Sequence, residues 1–231
     1  MALDASVVHG FVQSCLQRKF DKPVATPACH LEWWELCCSG DKQVAIAAPR
    51  EHAKSTAITL SYVLAAVLFR EHQFVLIVSD TEGQASLFLG DIKQELLEND
   101  DIISLFGVKQ FSKLSESDII VEMDDGYKFR IMAKGSEQKV RGVKWDNKRP
   151  DLIVCDDLEG DEQVNSKERR GKFKRWFYGA LINAGAKGRK VIVVSSIDVS
   201  TNTDWSEKPT IKSGLGDATV GLREGDTTHS G

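Results

Sequence analysis

The chain has 231 residues, 42% hydrophobic and 28% charged, which suits one large soluble α/β domain with small appendages. Its net charge of −4 gives no global field to attract nucleic acid, so any grip on phosphates has to come from a local patch or a partner. Its five cysteines contain no C-x-x-C pair, its longest apolar stretch (62–69) falls far short of the roughly 20 residues of a membrane span, and its first residues lack a signal-peptide pattern; a reduced intracellular setting fits better than a disulfide framework or a zinc site, and no membrane span is expected.

Val7, Val8, Phe11, Val12, Cys15 and Leu16 form a stripe of helical period over 5–18. Pro23 and Pro27 interrupt the chain, and 29–38 reads as a second short helix. Residues 44–48 are a short apolar run suited to a strand covered on both faces, and 55–70 is a long helix rich in Ala and Leu. A second buried strand is predicted at 74–78 and a helix at 81–98. Segments 118–122 and 127–133 flank Asp124-Asp125-Gly126, a hairpin signal because Gly supplies the positive φ of a tight turn. Buried strands follow at 152–155 and 191–194, with a helix at 166–184 between them. The alternation predicts a mostly parallel sheet with helices on both faces and a β-hairpin insertion. Residues 198–231, rich in Ser, Thr, Gly and Asp, are expected to form a flexible tail.

The first chemical signal lies between the strand at 44–48 and the helix that follows. Ala48, Pro49, Arg50, Glu51, His52, Ala53, Lys54, Ser55 and Thr56 match G-x-x-x-x-G-K-[ST] with alanine in place of both glycines. In a Walker A loop, backbone N–H groups face phosphate oxygens, the Lys ammonium neutralises them, and the Ser or Thr hydroxyl ligates magnesium. Alanine at both glycine positions demands φ angles that an alanine tolerates. Alone the pattern also fits a chance turn before a helix; the strand before it and the helix after it are what the mechanism requires.

The second signal is an apolar strand ending in carboxylates, 151–159. In a P-loop ATPase the first carboxylate, here Asp156, holds magnesium, and the next orients the attacking water. Asp157 is the direct choice for the water, with Glu159 as the longer alternative. The other reading is an acidic loop capping the next helix. Between the two signals, Arg141 follows an apolar residue and precedes Gly142, a pattern that reads either as a loop tip presenting a guanidinium to a γ-phosphate or as a solvated basic loop.

Taken together, Trp33-Trp34, the loop at 48–56, Val-Arg-Gly at 140–142 and the acidic strand at 149–159 resemble the large terminase subunit of tailed bacteriophages, over about residues 28–197. The resemblance implies an additional-strand P-loop NTPase fold, ATP and Mg2+ as ligands, and hydrolysis that drives double-stranded DNA into a procapsid. It assigns Lys54 and Ser55 to phosphate and metal, Arg50 to a Walker A sensor, and Arg141 to an arginine finger acting within a ring of copies. It further implies the host cytoplasm as location, with portal protein and small terminase subunit as partners. Ser195 and Ser196 stand where the family usually carries a coupling motif after the fourth strand, and the match to that motif is weak. Trp33 precedes the loop where adenine is stacked in related ATPases; an aromatic on a short amphipathic helix also reads as core.

The family's nuclease domain has no counterpart in 198–231, so no nuclease activity is expected from this chain, which reads as a fragment, as the product of a split or interrupted gene, or as half of a two-protein enzyme with a separate nuclease domain as partner. The expected organisation is an N-terminal helical segment at 1–40, a P-loop ATPase core at 41–197 and the tail. The basic run at 167–175 reads either as a DNA contact or as a solvated helix face. Rival functions are a helicase-like or repair nucleic-acid ATPase, and a nucleotide-binding scaffold without turnover.

Overall fold

A computed structural model describes residues 2–20, 25–49, 51–136, 138–158 and 167–197. Arg50, Glu159 and the tail at 198–231 lie outside the described residues. Helix α1 (Ala5–Phe11) starts where the Asp4 carboxylate accepts from the Val7 N–H, and it runs on through helical turns at Val12–Leu16 and Gln17–Lys19. Helix α2 (Ala28–Cys38) begins after Pro27. Strand β1 (Gln43–Pro49) leads through a short loop into helical turns at Thr56–Tyr62 and then α3 (Val63–Leu68). All residues from Ala57 to Leu68 are buried, as expected for a helix that is apolar all round.

Strand β2 (Phe74–Ser79) is followed by α4 (Glu82–Glu98), capped by Thr81, and α5 (Asp100–Phe106), capped by Asn99 and closed by left-handed Gly107. Strands β3 (Val108–Leu114), β4 (Asp118–Met123), β5 (Lys128–Gly135) and β6 (Leu152–Asp156) come next. Helix α6 (Lys167–Trp176) continues through Phe177–Leu181 and Ile182–Ala184 to β7 (Lys190–Ile197). Among the described residues no helix is long and apolar enough to cross a membrane.

The seven strands form one sheet in the order β1-β7-β6-β2-β5-β4-β3; the first five named are mutually parallel, and β4 and β3 are antiparallel. Period-2 alternation sorts the continuous apolar runs onto two faces. Val75, Ile77, Leu152, Val154, Ile192 and Val194 pack into the core under α1 to α5. Their neighbours Leu76, Val78, Ile153, Cys155 and Val191 pack with Val140, Phe177 and Leu181 on the α6 face.

The expected hairpin at 118–133 is present as β4 and β5, and β5 also pairs in parallel with β2, which joins the hairpin to the central sheet. Helix α5 and strand β3 are additions to the expected elements, and β3 extends the sheet beyond β4. All the parallel strands end on one side of the sheet, and the loop after β1 and the carboxylates after β6 therefore share that side, with β7 between them.

Candidate nucleotide-binding site

The loop after β1 turns without glycine. Ala48 is ordinary strand, paired with Ser196 of β7, whereas Glu51 and Ala53 have φ of 68° and 51°. The expectation that both alanines take φ values suited to alanine therefore holds for Ala48 and fails for Ala53. A left-handed non-glycine residue costs about 1–2 kcal/mol, so the loop depends on contacts from outside. Several are present. The buried His30 of α2 donates from Nε2 to the His52 carbonyl at 2.9 Å, and Trp34 donates from Nε1 to the Ala57 carbonyl at 2.8 Å. Lys54 is 7% exposed and its Nζ donates to the Pro49 carbonyl at 2.8 Å, so its side chain folds back across the loop.

Asp156 closes β6 and is 1% exposed. Thr59, one turn past Ser55 on the helix, donates from Oγ1 to Asp156 Oδ2 at 2.5 Å. Burial pushes the Asp156 carboxyl up to about 6; hydrogen bonds from Thr59 and Ser55 oppose the rise, Asp157 adds to it, and the Lys54 charge lowers it. Lys54 and Ser55, about a hundred positions before Asp156, thus lie close enough to act on its carboxyl. Among the described residues, Asp156 Oδ1 is buried and has no hydrogen-bond partner. A buried carboxylate oxygen without a partner, beside a hydroxyl, is a hard oxygen donor set, and it fits magnesium, which takes one or two protein oxygens and completes its shell with phosphate and water. Among the described residues no group of three or more His, Cys, Asp and Glu side chains is gathered to hold a metal entirely by protein ligands.

Asp157 is exposed and left-handed, with φ 46°. Its N–H donates to the Val194 carbonyl at 3.2 Å and its carbonyl accepts from the Asp80 N–H at 3.0 Å, which ties the turn to β7 and to the end of β2. Ser196 donates from Oγ to Asp157 Oδ1 at 3.4 Å. Ser195 and Ser196 do not follow the last strand, as the sequence reading had it; they lie within β7, opposite Ala47 and Ala48. Ser196 thus stands between the loop after β1 and the carboxylates after β6.

Arg141 bonds the α6 continuation and not this cluster among the described residues. Its loop follows β5, which β7, β6 and β2 separate from β1. Val140 is buried, Gly142 takes φ 82°, and Arg141 is exposed, its Nη2 donating to the Gly179 carbonyl at 3.0 Å. Trp33 is 4% exposed and its ring lies 5.1 Å from that of His30, so it packs as core and not as an open platform for a base. Glu51 and His52 are exposed, and Thr56 accepts through its carbonyl from Ser61 Oγ at 2.7 Å.

Two residues of the cluster escaped the sequence reading. Thr59 carried a signal, a polar residue four places after Ser55 on an apolar helix. His30 carried none, because only the fold brings α2 against the loop.

This arrangement defines a fold class: an α/β protein with the P-loop NTPase fold, the loop after β1 and the acidic end of β6 lying on one side of a mostly parallel sheet. The chain shares the fold of bacteriophage large-terminase ATPase domains. It aligns with the large terminase ATPase domain of Thermus phage P74-26 at a TM-score of 0.55 and 14% identity, over 84% of this chain and 75% of that one. A mutant form of that domain gives a TM-score of 0.54 at 14% identity, over 78% and 68%. The large terminase of bacteriophage HK97 gives 0.50 at 15% identity over 83% of this chain, which spans only 37% of that longer protein. No protein-family model and no curated protein matches the sequence.

Proposed function

We propose that this chain is the ATP-hydrolysing motor domain of a phage large terminase, which moves double-stranded DNA into a procapsid. One observation carries the reading above the fold: Asp156, whose Oδ1 is buried and has no partner among the described residues, meets Ser55 and Thr59 at the start of the helix that follows the glycine-free loop.

In this reading the loop amides and the Lys54 ammonium receive the β- and γ-phosphates at a helix N-terminus. Ser55 and Asp156 would hold magnesium, whose charge offsets that of the phosphates. Asp157 orients the attacking water, since its carboxylate is exposed beside Asp156 and is held by Ser196. Arg50 and Glu159 are proposed as a loop sensor and an alternative water-orienting group. Ser195 and Ser196 are proposed to pass a change at the phosphates into β7. Arg141 supplies charge to the γ-phosphate of a neighbouring copy, a role supported by its exposure and by the three strands between its own strand and β1. Copies of the chain in a ring, a portal protein, a small terminase subunit and a separate nuclease domain are its proposed partners, in the host cytoplasm.

The test is phosphate release from ATP with and without linear duplex DNA, run beside a strand-separation assay. Hydrolysis stimulated by duplex without strand separation is expected. Unwinding of the duplex would favour the helicase-like reading, and tight binding of ATP with no turnover under any condition would favour a scaffold. Mixing separately inactive Arg141→Ala and Asp157→Ala subunits is expected to restore part of the activity; no recovery would contradict action across a subunit boundary.

A further inference from the structure

We infer that His30 is a positioning residue for the phosphate loop: from the buried face of α2 it holds the His52 carbonyl and keeps in place a turn made without glycine. The inference rests on the nucleotide-binding reading for its consequence, and on the fold alone for its geometry.

The loop has something to hold. His52 lies between two left-handed non-glycine residues, Glu51 and Ala53. Each is less favourable than right-handed or extended backbone by about 1–2 kcal/mol, so a loop free of outside contacts would relax away from this turn. The carbonyl between them accepts from His30 Nε2 at 2.9 Å.

The holder is rigid. The His30 side chain belongs to a residue only 4% exposed, and its ring lies 5.7 Å from Phe20, 5.1 Å from Trp33 and 6.0 Å from Trp34. Burial, with the nearby His52 contributing, keeps its pKa below the ordinary value, so the ring is neutral at pH 7; the bond to a carbonyl then puts the single proton on Nε2.

The contact is also not isolated. Residues 30, 34 and 37 of α2 occur at i, i+4 and i+7, on one helix face. His30 bonds the loop at His52, Trp34 bonds the first turn at the Ala57 carbonyl at 2.8 Å, and the Cys37 carbonyl accepts from the Tyr62 hydroxyl at 2.9 Å. Helix α2 thus runs along the loop and its helix as a splint, with His30 as the one member of the three that reaches the loop itself. The left-handed turn that glycine would adopt without strain is here held in place from a neighbouring helix.

The test compares His30→Gln, which keeps an N–H donor of similar reach, with His30→Met, which keeps the length and loses the donor. Two readouts are taken: hydrogen exchange of the backbone amides at 51–55 in nucleotide-free protein, and calorimetric affinity for ATP with magnesium. Loss of one hydrogen bond predicts about tenfold faster exchange and about tenfold weaker binding in the Met variant, with the Gln variant near wild type. Equal exchange in the Met variant and wild type would overturn the inference, whatever the nucleotide result. Fast exchange in the Met variant with no ATP binding even by wild type would keep the inference and defeat the nucleotide reading. If the Met variant does not fold, His30→Phe replaces it in the same comparison.

Discussion

Thr59 donates from Oγ1 to Asp156 Oδ2 across 2.5 Å, joining two residues 97 positions apart in the chain. The bond links the helix that follows the loop at 48–56 to the acidic end of β6, so the two segments are fixed to each other. It satisfies one oxygen of a carboxylate that is 1% exposed; the other has no partner among the described residues, and in the proposed function it is the one offered to magnesium.

Thr59→Val keeps the shape and removes this donor. A buried carboxylate that loses a partner costs about 1–3 kcal/mol. Urea unfolding at pH 7.5 is expected to show a loss of that size, and Thr59→Ser is expected to recover most of it. Magnesium affinity in the presence of ATP is expected to fall with it, because Asp156 is then free to turn away.

Asp156 itself gives a pH prediction of a less usual sign. Its folded-state pKa, about 6, is above the unfolded value of 3.8, so the folded state holds the proton more tightly. The stability this group contributes is fully present below pH 3.8 and is lost as pH rises through about 6. Nucleotide-free protein at pH 7.5 therefore carries a charge it would be more stable without. Asp156→Asn is expected to stabilise the nucleotide-free protein at pH 7.5 by about 1–3 kcal/mol in urea unfolding, while abolishing magnesium-dependent ATP binding. A variant that is less stable and still binds magnesium would contradict both halves.

Away from the site, Asp118 and Arg130 form a buried pair, with Arg130 Nε on Oδ1 at 2.8 Å and Nη2 on Oδ2 at 2.7 Å, and Lys113 also bonds the carboxylate. Burial alone would raise the Asp118 pKa, but the hydrogen bonds from Arg130 and Lys113 outweigh it and hold the group below 3.8. Its contribution is present above pH 3.8 and is lost as pH falls through the folded value. Asp118→Ala leaves Arg130 buried without its partner and is expected to cost about 3–5 kcal/mol. The acid limb of its stability curve, measured by urea unfolding between pH 5 and pH 2, is expected to flatten.

The elements most legible in the sequence are those whose burial is one-dimensional. The runs at 44–48, 74–78, 152–155 and 191–194 are apolar because both sheet faces are covered, and each is a strand. The edge strand β3 was not legible for the same physical reason: five of its seven residues are exposed, and Lys109, Gln110 and Lys113 hide any apolar alternation. Sheet order was not legible either, since it depends on which strands meet across long separations. At the site, the residue types of Lys54, Ser55 and Asp156 suffice to suggest their convergence. The left-handed turn at Ala53, the core packing of Trp33 and the reach of His30 depend on α2 lying against the loop, which nothing local encodes.

The central claim, that the loop at 48–56 binds and helps to hydrolyse ATP, rests on Lys54 more than on any other side chain. The most direct measurement is phosphate release from ATP with magnesium by wild-type protein and by Lys54→Ala, with folding of both checked by circular dichroism. The account predicts measurable turnover in wild type, and none above background in a Lys54→Ala variant that remains folded. Equal turnover in the two proteins would contradict it.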